Sequence, residues 1–139
     1  MISFFYETEI ETINEKDFSA WIGSVINSEN KDEGHINYIF CDDEYLLKIN
    51  QDFLNHDTYT DIISFDNTIG NELHGDIFIS YERVVENAKE FGVDVYEELK
   101  RVMVHGVLHF CGYKDKTKEE EMIMRRKEDQ KMALFHVEQ

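Results

Sequence analysis

Residues 60–81 read TDIISFDNTIGNELHGDIFISY. Two β-branched and aromatic runs, 60–66 and 75–81, flank a polar loop that contains Gly70. Runs of this kind bounded by Gly, Asn and Asp are strand signals. Both are expected to be central strands of a sheet. Ser80 at the end of the second run is a helix-capping residue type. A helix is therefore expected from there to about Glu90, with Gly92 stopping it.

Working outward from this pair, the upstream chain alternates between the two structural periods. Ile2 to Tyr6 is an aromatic-rich strand. Phe18, Trp21, Ile22, Val25 and Ile26 recur at helical spacing. The polar stretch 27–35 reads as a surface connection. The segment 35–41 sets Ile36, Tyr38 and Phe40 on one side and Asn37 and Ile39 on the other, a strand pattern. Residues 42–54 open with Asp42 or Asp43 as a cap and carry a helical stripe of Tyr45, Leu46, Ile49 and Phe53. Downstream, helices are expected over about 95–110 and 117–135. The order β-α-β-α-β-β-α-α-α predicts an α+β fold: a single domain over 1–139, with a mixed sheet of about four strands packed with helices.

Composition bounds the function. The chain has 139 residues, enough for one hydrophobic core, with 42% apolar and 13% aromatic residues. No stretch of 18 apolar residues occurs, so no membrane span is expected. The first residues lack the basic and apolar regions of a secretory signal. A cytoplasmic location follows as the expectation. The formal net charge of −16 repels phosphate backbones at long range, which weighs against a free-standing, high-affinity nucleic-acid binder. Proline is absent where average usage of about 5% would give roughly seven. Turns must therefore rest on Gly, Asn and Asp. Cys41 and Cys111 are far apart and form no C-x-x-C pair; each is expected to be a small buried thiol.

The chemistry concentrates in residues 105–117, HGVLHFCGYKDKT. On the expected 95–110 helix, Val95, Leu99, Val102, Met103, Gly106 and Phe110 form a buried face. His105 and His109 are four residues apart, so they stack one turn apart on one side, about 6 Å along the axis. Two such imidazoles can share a metal ion. Gly112 suits a left-handed turn that ends the helix, and the reversing chain can return Asp115 toward the rings. An isolated H-x-x-x-H arises often by chance, and a packed core histidine is the plain alternative. Gly at the seventh and Asp at the tenth position after His105 reproduce the ligand spacing of H-E-x-x-H-x-x-G-x-x-H zinc hydrolases, with Asp as third ligand. Zinc peptidases place a general-base Glu directly after the first His. Here that residue is Gly106, which takes no proton, so the peptidase reading is disfavoured and the general base stays open.

These residues resemble the signature H-G-x-L-H-x-x-G-Y-D-H of the YbeY endoribonucleases, matched by His105-Gly106-Val107-Leu108-His109-Phe110-Cys111-Gly112-Tyr113-Lys114-Asp115. Two more blocks agree in order. The family's L-N-x-x-Y-R-x-x-D-x-P-T-D-V-L-S-F is similar to residues 49–65, and its L-G-D-I strand is similar to HGDIFIS at 74–80. The resemblance implies an α+β fold and a single Zn²⁺ held by His105, His109 and Asp115. It also implies single-strand-specific endoribonuclease activity in ribosomal RNA maturation, notably at the small-subunit 3′ end, and in ribosome biogenesis. The implied partners are ribosomal RNA and ribosomal proteins, with no DNA and no membrane. Three positions depart from the family pattern. Asp115 stands for its third His, Leu54 for its Arg, and Tyr59 for its Pro. Two other functions stay in view: a ribosome-assembly factor that uses zinc structurally and cuts nothing, and a zinc peptidase-like hydrolase.

Outside the signature, His35, His56, His74 and His136 are isolated, and a surface or hydrogen-bonded role is expected for each. His74 adjoins the Gly75-Asp76 block and could line the cleft. Asp61 and Asp76 begin strands near the expected site; each could orient a ligand or transfer a proton, but a structural carboxylate capping backbone N–H groups is the favoured reading. Tyr113 is expected to pack. Arg125, Arg126 and Lys127, with Lys114, Lys116 and Lys118, form the best local phosphate-facing patch, although interleaved glutamates favour a solvated helix face.

Overall fold

A computed structural model describes residues 1–54 and 60–135. The element order is β1 (Ile2–Tyr6), α1 (Glu15–Ser28), β2 (Asp32–Cys41), α2 (Asp43–Leu54), β3 (Ile62–Asp66), β4 (Glu72–Ser80), α3 (Tyr81–Phe91), α4 (Val95–Phe110) and α5 (Lys118–Met132). This is the succession predicted from the sequence. The four strands form one sheet in the order β1-β2-β4-β3. β1 and β4 both run parallel to β2, and β3 runs antiparallel to β4, with Ile62 opposite Ile79 and Asp66 opposite Gly75. The sheet is mixed, and the fold is α+β.

Two expectations need correction. β4 is central, but β3 is an edge strand: among the described residues its one strand partner is β4. The polar stretch 27–35 is not wholly a connection. Asp32–Gly34 already belong to β2, and the irregularity between Glu33 and Ile36 lets this hydrophilic end continue the ladder beside Glu72 and Leu73. Backbone pairing there overrides the low strand propensity of Asp, Glu and Gly.

Side-chain alternation divides the sheet into two faces. Ile36, Tyr38, Phe40, Ile77 and Ile79 are fully buried and join the main core with α1, α4 and α5. The Tyr38 hydroxyl donates to the Met103 carbonyl at 2.9 Å, which satisfies a phenol that burial would otherwise leave unpaired. On the other face, Cys41, Leu46 and Ile63 form a smaller cluster with Ile49, Phe65 and Phe78 under α2. α4 lies at the centre, and the buried set along it is wider than one stripe: Val104, Val107 and Leu108 are fully covered as well. A helix packed on several sides buries more than the single face its periodicity shows.

Local signals set the helix ends. Asp42 Oδ1 accepts from the Tyr45 amide at 2.8 Å, which identifies Asp42 as the cap of α2. Ser80 caps α3, and Gly92 ends it at φ 67°. Thr117 and Glu120 form a reciprocal capping box at the start of α5. Among the described residues, positive φ falls on Asn30, Gly70, Gly92 and Gly112, the residue types expected to turn a chain without proline.

Candidate metal centre

Helical spacing brings His105 and His109 together on α4, and the turn that follows supplies the third group. Gly112 at φ 105° adopts a conformation that side-chain-bearing residues rarely take. The chain reverses there, and Asp115 comes back over the last turn of the helix. The three atoms that converge are His105 Nε2, His109 Nε2 and Asp115 Oδ2. The two nitrogens are 3.0 Å apart, and each is 3.2 Å from the carboxylate oxygen. Ligand atoms around a tetrahedral zinc with bonds of about 2.0–2.1 Å lie roughly 3.3 Å apart. The triangle would open by only a few tenths of an ångström to accept such an ion.

The proton inventory points the same way. His109 Nδ1 is 2.9 Å from the Tyr113 carbonyl. A carbonyl only accepts, so Nδ1 carries the hydrogen and Nε2 presents a lone pair. His105 Nδ1 donates to Glu128 Oε2 at 2.7 Å, which leaves the same arrangement on its ring. Two lone pairs and a carboxylate then face one point, where only a proton or a cation relieves the repulsion. Metal-ligating histidines ordinarily donate their other ring N–H to a carboxylate or a backbone carbonyl, and both forms occur here. The donor set and its spacing fit a metal ion, and the triad is the set of His, Cys, Asp and Glu groups able to hold one among the described residues.

Glu128 escaped the sequence reading. It lies in the charged run of α5, which looks like a solvated face. Yet Met124, Glu128 and Lys131, spaced i, i+4 and i+7, are all buried. That spacing from an apolar residue was the available signal. Glu128 also accepts from Arg101 Nη1 at 2.9 Å, while Arg101 Nη2 reaches Asp129 at 2.7 Å. Tyr113 does more than pack. Its hydroxyl donates to Glu29 at 2.6 Å, and Glu29 pairs with the buried Lys131 at 2.7 Å. The loop that carries Tyr113 and Asp115 is thus tied to the end of α1 and to α5.

The triad opens into a cleft of about 430 Å³ that also meets Asp61, Asn87, Phe91, Glu98, Arg101 and Arg125. Burial raises the Asp61 carboxyl above its usual range, against the pull of His105. Burial, reinforced by the Asp61 charge, raises Glu98 as well. For His105, burial acts downward, but Glu128, Asp115 and Asp61 outweigh it and the net shift is upward.

The remaining candidates separate clearly. Asp61 lines the cleft. Asp76 does not: it alternates with Ile77 onto the opposite face of the sheet and accepts from Asn37 at 2.9 Å. His74 is on that face too, bound to the His35 amide at 3.0 Å and to Glu72 at 2.6 Å. Of the basic patch, Arg125 reaches the cleft, Lys127 lies over the Tyr113 ring and 3.4 Å from Glu29, and Arg126 is exposed. Leu54 ends α2 exposed, outside the cleft lining. His56, Tyr59 and His136 lie outside the described residues. Burial pushes the Cys41 thiol up to about 12 and the Cys111 thiol up to about 11, so neither is a nucleophile near neutral pH.

Gly106 settles the orientation of the residue after the first His. A Cβ there would meet Ile77 and Ile62 at 3.0–3.2 Å, so this position faces the sheet and not the cleft. A glutamate at 106 would aim its carboxylate into apolar core, which removes the peptidase reading on packing as well as on chemistry.

Comparison with known proteins agrees with this geometry. The family model described as Endoribonuclease YbeY matches residues 4–136. A Flavobacterium johnsoniae protein named Endoribonuclease YbeY is 64% identical over the whole of both chains. A Cytophaga hutchinsonii protein of the same name is 47% identical over 96% of this chain and 94% of its own. The solution structure of the Thermotoga maritima protein TM1509 is similar with a TM-score of 0.64 at 26% identity, covering 96% of this chain and 90% of that one. On sequence and fold together, the chain belongs to the YbeY endoribonuclease family.

Proposed function

We propose that this chain is a zinc-dependent endoribonuclease that cuts single-stranded RNA during ribosomal RNA maturation, notably at the small-subunit 3′ end, in the cytoplasm. The observation that carries the reading is the convergence of two histidine lone pairs and one carboxylate at 3.0–3.2 Å. Family membership supplies the substrate class. His105, His109 and Asp115 hold the ion. A bound zinc supplies Lewis-acid polarisation and lowers the pKa of coordinated water to about 7.

The protein's own groups do the rest. Glu128 and the Tyr113 carbonyl fix both rings in the tautomer that ligation needs. Arg125 offers an exposed cation for a phosphate at the cleft mouth. Asp61, whose carboxyl burial holds toward the protonated form, is the group placed to pass a proton at its carboxylate.

Elemental analysis and RNA cleavage test the proposal together. Wild-type protein should contain about one zinc per chain and cut unstructured RNA. His109→Ala and Asp115→Ala should lose both properties while keeping their circular dichroism. Cleavage that survives either substitution and chelation would overturn it. A second reading, an assembly factor that works through ribosomal proteins without cutting, is favoured by the net charge of −16 and by Leu54. Recovery of ribosomal proteins with metal-loaded but catalytically silent protein would select it.

A further inference from the structure

The cleft has a second end that the metal chemistry does not use. Glu98 and His105 are seven residues apart on α4, about 10 Å along the axis, and both line the cleft. The last turn of α3 contributes to the lining as well. Phe91, the final residue of that helix, is 58% exposed and still lines the cleft. Asn87 lies one turn before it on the same side of the helix, also in the lining. Among the described residues, the Phe91 ring stacks on no other ring and the Asn87 amide makes no side-chain hydrogen bond.

A large apolar ring left in water beside a free amide needs a reason. The rest of the cleft narrows the choice of occupant. The cleft lining carries Asp61, Glu98, Asp115 and Glu128 against Arg101 and Arg125. Arg101 is already committed to Glu128 and Asp129, whereas Arg125 is only 3.9 Å from Glu128 and 62% exposed. A polyanion entering this acidic site gains little from phosphate contacts beyond the ion and Arg125. Affinity must then come from uncharged parts of the ligand. A nucleobase is such a part: it stacks on an aromatic face irrespective of backbone charge. Its edge carries donors and acceptors that a carboxamide pairs with. At about 430 Å³ the cleft falls at the small end of ligand pockets, roughly 300–1,000 Å³. That admits a single splayed nucleotide.

We infer that Phe91 and Asn87 form a nucleobase subsite, in which the Phe91 ring stacks on an unpaired base of the RNA whose neighbouring phosphate lies at the His105–His109–Asp115 triad. The inference rests on the ribonuclease reading for its ligand class. Phe91 and Asn87 here are specificity-determining residues that grip substrate away from the reacting atoms.

The test uses the full-length protein and a short fluorescent RNA. Direct binding is measured by anisotropy with the same RNA and chelated, metal-free protein, alongside steady-state cleavage by the metal-loaded protein. Phe91→Ala should weaken binding and raise KM about tenfold, the scale of one lost base–aromatic stack, with kcat changed less than twofold. Phe91→Trp should restore wild-type KM. Scanning an abasic nucleotide along the RNA should reveal one position that imposes the same loss on wild type but none on Phe91→Ala. Asn87→Ala should flatten the preference among the four bases at that position. Unchanged KM in Phe91→Ala, or an abasic penalty that adds in full to the Phe91→Ala penalty, overturns the subsite. Binding that depends on Phe91 in a protein that cuts no RNA supports the subsite while failing the nuclease reading, so the two failures are distinguishable.

Discussion

Glu128 holds His105 from behind: its Oε2 lies 2.7 Å from Nδ1 of the ring, across the packing of α5 on α4. The other oxygen of the same carboxylate takes Arg101. One buried acid therefore fixes a ligand tautomer and neutralises a cation at the cleft edge. Glu128→Gln keeps the shape and removes the charge. Zinc affinity, measured by competition with a chromophoric chelator, should fall about 10- to 100-fold. His105 would remain in place, so near-native circular dichroism should accompany the loss. Unchanged affinity would mean that Glu128 only packs.

The Glu29 cluster predicts acid sensitivity. Burial opposes ionisation of this carboxyl, but Lys131, the Tyr113 hydroxyl and Lys127 outweigh it and lower its pKa from the usual 4.5. A carboxyl lowered in the folded state contributes stability that is complete above pH 4.5 and is lost as pH falls through the lowered value. Glu29→Gln should flatten that part of the acid limb in urea titrations from pH 2 to 7. Glu29→Ala also strands Lys131, whose side chain is 6% exposed, and should cost about 3 kcal/mol at neutral pH. A wild-type acid limb in Glu29→Gln would discard this account.

Glu98 predicts the opposite slope. Burial first, then the charge of Asp61, raises its carboxyl, against Arg101 and Arg125. The folded state then binds this proton more readily than the unfolded chain does. Stability contributed by the group is present below pH 4.5 and declines as pH rises through the raised value. Glu98→Gln should equal wild type near pH 4 and match or exceed it at pH 7 in thermal melts. A variant less stable at pH 7 than at pH 4, relative to wild type, contradicts this. Buried acids kept beside a functional cleft at a cost in stability are a recurrent feature of enzymes.

Much of this structure was legible in the residues, and the parts that were not have a common cause. Strand and helix order followed from periods of two and 3.6 because each element buries a definite face. The convergence of His105, His109 and Asp115 followed from helical spacing plus Gly112, which together dictate where Asp115 returns. Glu128 reaches His105 from 23 residues away, and Tyr113 reaches Glu29 across 84; no local pattern encodes such partners. The side of the sheet that Asp76 takes was hidden for a related reason: strand alternation told which residues share its face, but not which face receives α4. β3 looked central because an apolar edge strand covered by a helix has the composition of an interior one.

The triad, its turn and its supporting glutamate all come from residues 105–128, and Trp21 Nε1 fastens the far end of α5 by donating to the Lys131 carbonyl at 2.8 Å. Four strands and three helices can therefore be made before the ligand-bearing helix exists, and a chain still attached to its ribosome short of α5 has an incomplete grip on any ion. Until α5 packs, the three converging groups stand without the carboxylate that orients His105.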